Sequence, residues 1–133
     1  MRANVTILAC LLALVLGDSI SAAAEQHIAQ SVIVVVGAPG LPEYLEQFAS
    51  WADLWEQACE QSGARFRSIG LEGTEDQSDR QRLQELLDGE SRESCVPLWL
   101  VLIGHGTFDG RTARFNLRGP DLTADDLAQW LAP

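Results

Sequence analysis

Val32-Ile33-Val34-Val35-Val36 constrains the fold more than any other stretch of this chain. Five consecutive β-branched side chains are stiff about χ1 and suit extended backbone. Side chains on a strand point alternately to opposite faces, so an unbroken apolar run needs cover on both. That cover exists in a parallel sheet with helices on each side. Gly37-Ala38-Pro39-Gly40 closes the run with turn residues.

The rest of the chain supplies matching elements. From about Glu43 to Gln61 the apolar residues Leu45, Phe48, Ala52, Trp55 and Cys59 recur at helical steps, with acids between them. Gly63 stops this helix. Arg65-Phe66-Arg67-Ser68-Ile69 alternates polar and apolar, as a more exposed strand does. Residues 72–79 read as a solvated, charged loop. A second helix is expected from about Ser78 to Leu87, with Leu83, Leu86 and Leu87 on one face and Gly89 after it. Leu98-Trp99-Leu100-Val101-Leu102-Ile103 is a third, buried strand. Strand, helix, strand, helix, strand defines an α/β domain with right-handed crossovers. Phe108-Asp109-Gly110, followed by Ala113, Phe115 and Leu117 in alternation, predicts a tight hairpin. Thr123 with Asp126 forms a capping box for a third helix, and Leu122 staples against Leu127. Trp51, Trp55, Trp99 and Trp130 are expected in the core, because each has apolar neighbours at the period of its element.

Residues 1–24 fall outside this pattern. Arg2, an apolar run from Val5 to Leu16 and an Ala22-Ala23-Ala24 exit make a secretory signal peptide, with cleavage expected near Ala24. The run is too short for a membrane anchor. The chain then divides into a leader (1–24), a short extension (25–31) and one domain (32–133), and is expected to be exported. The formal charge of −10 comes with no lysine at all. An acidic chain without a basic stripe excludes nucleic acid and disfavours anionic membranes. Two histidines without ligand-spaced cysteines or carboxylates give no metal site, and nothing implies a cofactor.

Chemistry concentrates at Gly104-His105-Gly106, just past the third strand. Functional groups of open parallel sheets gather beyond the carboxyl ends of the strands. The spacing puts an imidazole there as a candidate general base. Gly106 leaves its N–H unshielded as a candidate oxyanion donor. Gly37, Gly40 and Gly104 border the same rim as candidate substrate-cleft residues. A nucleophile is needed to complete acyl transfer. Cys59 and Cys95 both fall at the opposite end of the sheet, a strand length of roughly 20 Å from His105, so neither supplies it. Their shared end suggests a Cys59–Cys95 disulfide in an exported chain, the alternative being two buried free thiols.

The segment Leu100 to Gly106, then Asp109-Gly110, Phe115-Asn116-Leu117, Asp121-Leu122 and Asp126-Leu127, resembles the histidine segment of the legumain, gingipain and caspase clan of cysteine peptidases. The resemblance implies a caspase-like three-layer sandwich with a mostly parallel sheet, truncated after the third strand, hairpin and third helix. It also implies that His105 matches the base and Gly106 the oxyanion-hole glycine, with a peptide or protein as substrate. The clan's nucleophile follows a fourth strand, about 50 residues after the histidine in caspases, and has no counterpart here. The expectation is an inactive fragment of a secreted endopeptidase domain, completed by a missing C-terminal half or self-associating along its third strand.

Two other functions fit parts of the pattern. A non-catalytic exported α/β module would keep the fold for binding. A serine hydrolase fragment would share a His-Gly oxyanion segment, but Gly-x-Ser-x-Gly is not present. The loop Gly37 to Gly40 lacks the spacing of a phosphate cradle and reads as a turn. Arg111, Arg114 and Arg118 read as a solvated hairpin face.

Overall fold

A computed structural model describes residues 29–72, 77–92 and 95–132. The leader, His27, most of the 25–31 extension and residues 73–76 lie outside the described residues. The apolar run forms β1 (Ser31–Val36), starting one residue earlier than its first valine and buried along its whole length. It is followed by α1 (Pro42–Ser62), β2 (Arg65–Ile69), α2 (Asp79–Asp88) and β3 (Leu98–Ile103). Both β2 and β3 pair with β1 in parallel, giving the order β2-β1-β3. β1 is the central strand, and of the three it is the one buried along its whole length. The short strands β4 (Gly106–Phe108), β5 (Ala113–Phe115) and β6 (Leu122–Thr123) make a small antiparallel sheet, and α3 (Ala124–Trp130) is the last described element.

Alternation along β1 divides the core in two. Val32, Val34 and Val36 face α1, where Phe48, Ala52, Cys59 and Ile103 complete one cluster. Ile33 and Val35 face the other way, toward Leu83 and Leu87 of α2 and Trp130 of α3, with Ile69, Leu117 and Leu122. The chain is therefore an α/β domain with helices on both sides of a parallel sheet. The caps follow the sequence. Gly63 closes α1 at φ 70°, and Ser78–Gln81 and Thr123–Asp126 form reciprocal capping boxes on α2 and α3.

Four expectations need correction. Trp51 and Trp99 are exposed, as is Leu45, while Trp55 is half-buried and Trp130 is core. α1 packs more closely on β2 than on β3, covering Val101 and Ile103 on that face of β3 but leaving Trp99 open. The hairpin is not a two-residue turn. Residues 109–112 separate β4 from β5, and the Asp109 carboxylate accepts the N–H groups of Arg111 and Thr112, both at 2.9 Å. Arg118 is not part of a solvated face. It makes a bidentate pair with Asp79 at 2.8 and 3.0 Å, and Asp79 is only 2% exposed. This pair ties the segment after the hairpin to the start of α2 and keeps Arg118 firmly protonated. Finally, Cys59 and Cys95 are both free. Cys59 is sealed between α1 and the sheet, whereas Cys95 is exposed ahead of β3, so the proposed bridge does not form.

Candidate functional site

The carboxyl ends of β1 and β3 are bound together before any side chain contributes. Gly37 donates its N–H to the Ile103 carbonyl at 2.8 Å. Asn116, just after β5, accepts from the Ala38 N–H at 2.8 Å and donates to the His105 carbonyl at 3.0 Å. One residue thus fastens both the loop after β1 and the histidine turn to the small sheet. The two glycines of this junction are there for space. A Cβ on Gly37 would stand 2.5 Å from the Asn116 carbonyl, and one on Gly104 would stand 2.9 Å from the Phe115 ring. Phe115 packs against both glycine backbones, so the hairpin can close down on the strand ends. Gly40, at φ 72°, faces open space at the outer end of its loop and serves the turn instead.

His105 sits beyond this junction with its side chain exposed. Its ring meets the edge of Tyr44 in a T-shaped contact at 4.6 Å and lies 5.2 Å from Phe48, both on α1. Tyr44 and Phe48 are themselves stacked at 5.8 Å. Two aromatics one helical turn apart therefore form a seat that fixes where the imidazole projects. Among the described residues no side chain hydrogen-bonds the imidazole, so ring contacts alone orient it.

Gly106 opens β4 opposite Phe115. The Asn116 N–H to His105 C=O bond flanks that pair, which marks Gly106–Phe115 as a non-hydrogen-bonded pair of the antiparallel ladder. The Gly106 N–H is then not used by β5 and faces away from it. An imidazole and a neighbouring backbone N–H that β5 does not use stand side by side at the carboxyl rim. The rim also brings together Gly37 and Gly104, with Gly40 on the adjoining loop.

Among the described residues no cysteine stands at this rim. Cys59 packs with Val32 at the start of β1, and Cys95 precedes Leu98 at the start of β3, each a full strand below His105. Burial, and secondarily the negative charge of Glu56, pushes the Cys59 thiol up and keeps it protonated, the reverse of an activated nucleophile. A cavity of about 340 Å³ also lies at this lower end, among Ser31, Arg65, Glu90, Arg92, Leu98 and Trp130, and does not reach the histidine. Among the described residues no cluster of histidines, cysteines and carboxylates could hold a metal ion, and no helix is long and apolar enough to cross a membrane.

Sequence reasoning missed Tyr44, Phe48, Phe115 and Asn116 as parts of the rim. Phe48 was legible only as a core position, and Tyr44 lies just before the repeating apolar stripe. The Phe115-Asn116 pair was visible as a motif, but its clamp on Ala38 and His105 is a backbone contact that no residue type announces. Comparisons with protein-family models, with curated proteins and with solved structures returned no match to this chain.

Proposed function

We propose that this chain is the histidine-bearing part of a secreted cysteine-type peptidase domain resembling the legumain and caspase clan. In this reading His105 is the general base and the Gly106 N–H the oxyanion donor. The observation that carries it is the placement of an exposed imidazole and a hairpin-released N–H next to one another at the carboxyl end of a parallel sheet. That pairing suits an acyl-transfer step, in which a base takes the nucleophile's proton while N–H groups hold the developing oxyanion. The thiol would be contributed from outside residues 29–132, and on its own this part hydrolyses no peptide.

The test has two arms. Fluorogenic peptides incubated with the purified chain should release no product above buffer, and thiol-directed peptidyl probes should label no cysteine in a site-selective way. Coding DNA downstream of the Pro133 codon should encode a further apolar strand ending in a cysteine, roughly 35–55 residues past His105. A chain that cleaves peptides unaided, or downstream DNA encoding no such strand, would refute the reading.

A second function, a non-catalytic exported binding module, is favoured by one observation. Among the described residues the His105 imidazole has no hydrogen-bonded partner to set its tautomer, whereas a working base is oriented by a third group. On that reading the Tyr44–Phe48–His105 cluster is an aromatic binding surface. A His105→Ala variant would then keep whatever binding the wild-type chain shows.

A further inference from the structure

The two outer strands of the parallel sheet end it in opposite ways, and β3 is the one with an unfilled face. Among the described residues nothing pairs with its outer side. The Ile103 carbonyl points inward to Gly37, so Trp99, Val101 and Ile103 turn their main-chain groups toward β1. By strand alternation Leu98, Leu100 and Leu102 turn theirs outward. Trp99 is 51% exposed on one face and Leu102 40% exposed on the other. Beside them, α1 carries Trp51 at 44% and Leu54 at 59% exposure. Trp51 stacks on Phe48 at 5.9 Å and continues the stripe that begins at Tyr44 and touches His105. Because α1 runs antiparallel to the strands, that stripe descends along β3 toward Trp99.

Charge is segregated away from this surface. β3 contains no ionisable side chain. At 100° per residue, Glu46, Asp53, Glu56 and Glu60 fall on the side of α1 opposite the Tyr44–Phe48–Trp51–Trp55 stripe. Glu43, in the first turn of α1, is the one acid of this helix on the Leu54 flank, so a chain of net charge −10 keeps most of its α1 acids away from the Trp51 and β3 surface. That distribution suits contact between two equally acidic bodies.

We propose that this surface is occupied by a second copy of the chain, related by a two-fold axis through Leu100. Antiparallel pairing of β3 with its twin places Leu100 opposite Leu100 and Leu98 opposite Leu102. The outward N–H and C=O groups of all three residues are then used, giving about six hydrogen bonds and one continuous six-stranded sheet. Such an axis stands perpendicular to the sheet and keeps both α1 helices on the same side. Four strand positions span about 14 Å, and the lean of α1 toward β2 sets the two helices roughly 15–19 Å apart. Bare helices pack at 8–10 Å, so the gap has room for bulky side chains. Trp51, Leu54 and Trp99 from both copies are the residues that point into it. The pairing removes an apolar sheet edge that would otherwise recruit other strands. It does not depend on any role for His105.

Sedimentation equilibrium of the purified chain tests this. The 14.5 kDa chain should associate to twice its mass and stop there. Trp99→Lys and Leu102→Lys, on opposite faces of the same edge, should each raise the dimer dissociation constant at least tenfold with an unchanged far-ultraviolet circular dichroism spectrum. Leu45→Lys, an exposed apolar site on the other flank of α1, should leave it unchanged, as should His105→Ala. If lysine unfolds either position, Trp99→Thr keeps strand propensity and should still weaken pairing at least threefold. A monomer at every concentration, open-ended association, or association indifferent to Trp99 and Leu102 (as from the apolar residues 5–16) would overturn the proposal.

Discussion

The two edges of the parallel sheet are built from different chemistry. On the β2 edge, Arg65 and Arg67 converge on Glu90, at 3.3 Å for Arg65, while Arg67 also donates to the Ser31 hydroxyl at 3.0 Å and Ser31 donates to Glu90 at 2.9 Å. Burial and the neighbouring Arg65 lower the pKa of Arg67, which Glu90 nevertheless holds in place. On the β3 edge, Leu98 to Ile103 offer no charge at all. Charged residues are how natural sheets blunt an edge against further pairing. β2 is therefore finished as an edge and β3 is not, and the candidate catalytic rim is at the end of the unfinished one.

The largest expected effect probes how firmly the rest of the domain is tied together. Asp79→Ala leaves the Arg118 guanidinium without its buried partner and detaches the segment after the hairpin from α2. It should cost about 3 kcal/mol in chemical denaturation. Glu90→Ala is the corresponding break at the β2 edge and should cost about 2 kcal/mol, because Ser31 and two arginines lose a shared acceptor. Neither change should alter self-association. A shift in the monomer–dimer equilibrium with Glu90→Ala would show that the two edges are not independent.

Acid should act on the polar contacts and spare the apolar edge. Asp126 is held at about 2, first by its hydrogen bond from Arg80 and then by the Thr123 N–H and hydroxyl, against the opposing effect of burial. A carboxyl lowered in the folded state stabilises the fold above its ordinary value near 3.9, and that stability is lost as pH falls toward 2. Thermal unfolding should therefore show a decline between pH 4 and 2 that is smaller in Asp126→Asn. At neutral pH the same variant should lose about 1 kcal/mol through its weakened cap on α3. Asp109 is also lowered to about 2, chiefly by the Thr112 N–H, then by Arg114 and the Arg111 N–H, but it is exposed and should contribute little.

The smallest effect is that of salt, and its sign separates the edges. Screening weakens the partly exposed Arg65–Glu90 pair slightly. It should strengthen association through β3, because the repulsion being screened is that of two chains of −10. Raising the salt from 0.05 to 0.5 M should tighten dimerisation about two- to fivefold by sedimentation. A salt-weakened dimer would point to ion pairs in the interface and away from β3.

The alternation of elements was readable because it rests on local periodicity. The valine run, the helical stripe ending at Gly63 and the Thr123–Asp126 box each specify their own structure. Burial of individual side chains was less readable, since it depends on which neighbours arrive. Trp99 sits in a strand as apolar as β1 but is exposed, because among the described residues α1 covers Val101 and Ile103 on that face and stops short of Trp99. The difference between Arg114, paired with exposed Asp109, and Arg118, paired with buried Asp79, is likewise set by tertiary contacts between residues far apart in the chain. At the rim, the sequence marks His105 and its glycines. The aromatic seat and the Asn116 clamp arise only when α1 and the hairpin meet over the strand ends.

Amide hydrogen exchange compares the two edges within one molecule. The Arg65 N–H points inward to Gln30, so Phe66 and Ser68 carry the outward amides of β2, as Leu98, Leu100 and Leu102 do for β3. Exchange followed residue by residue by NMR at rising protein concentration should slow at Leu98, Leu100 and Leu102, and stay constant at Phe66 and Ser68. Equal exchange at both edges, unchanged by concentration, would contradict the assignment of β3 as the open edge filled by a second copy.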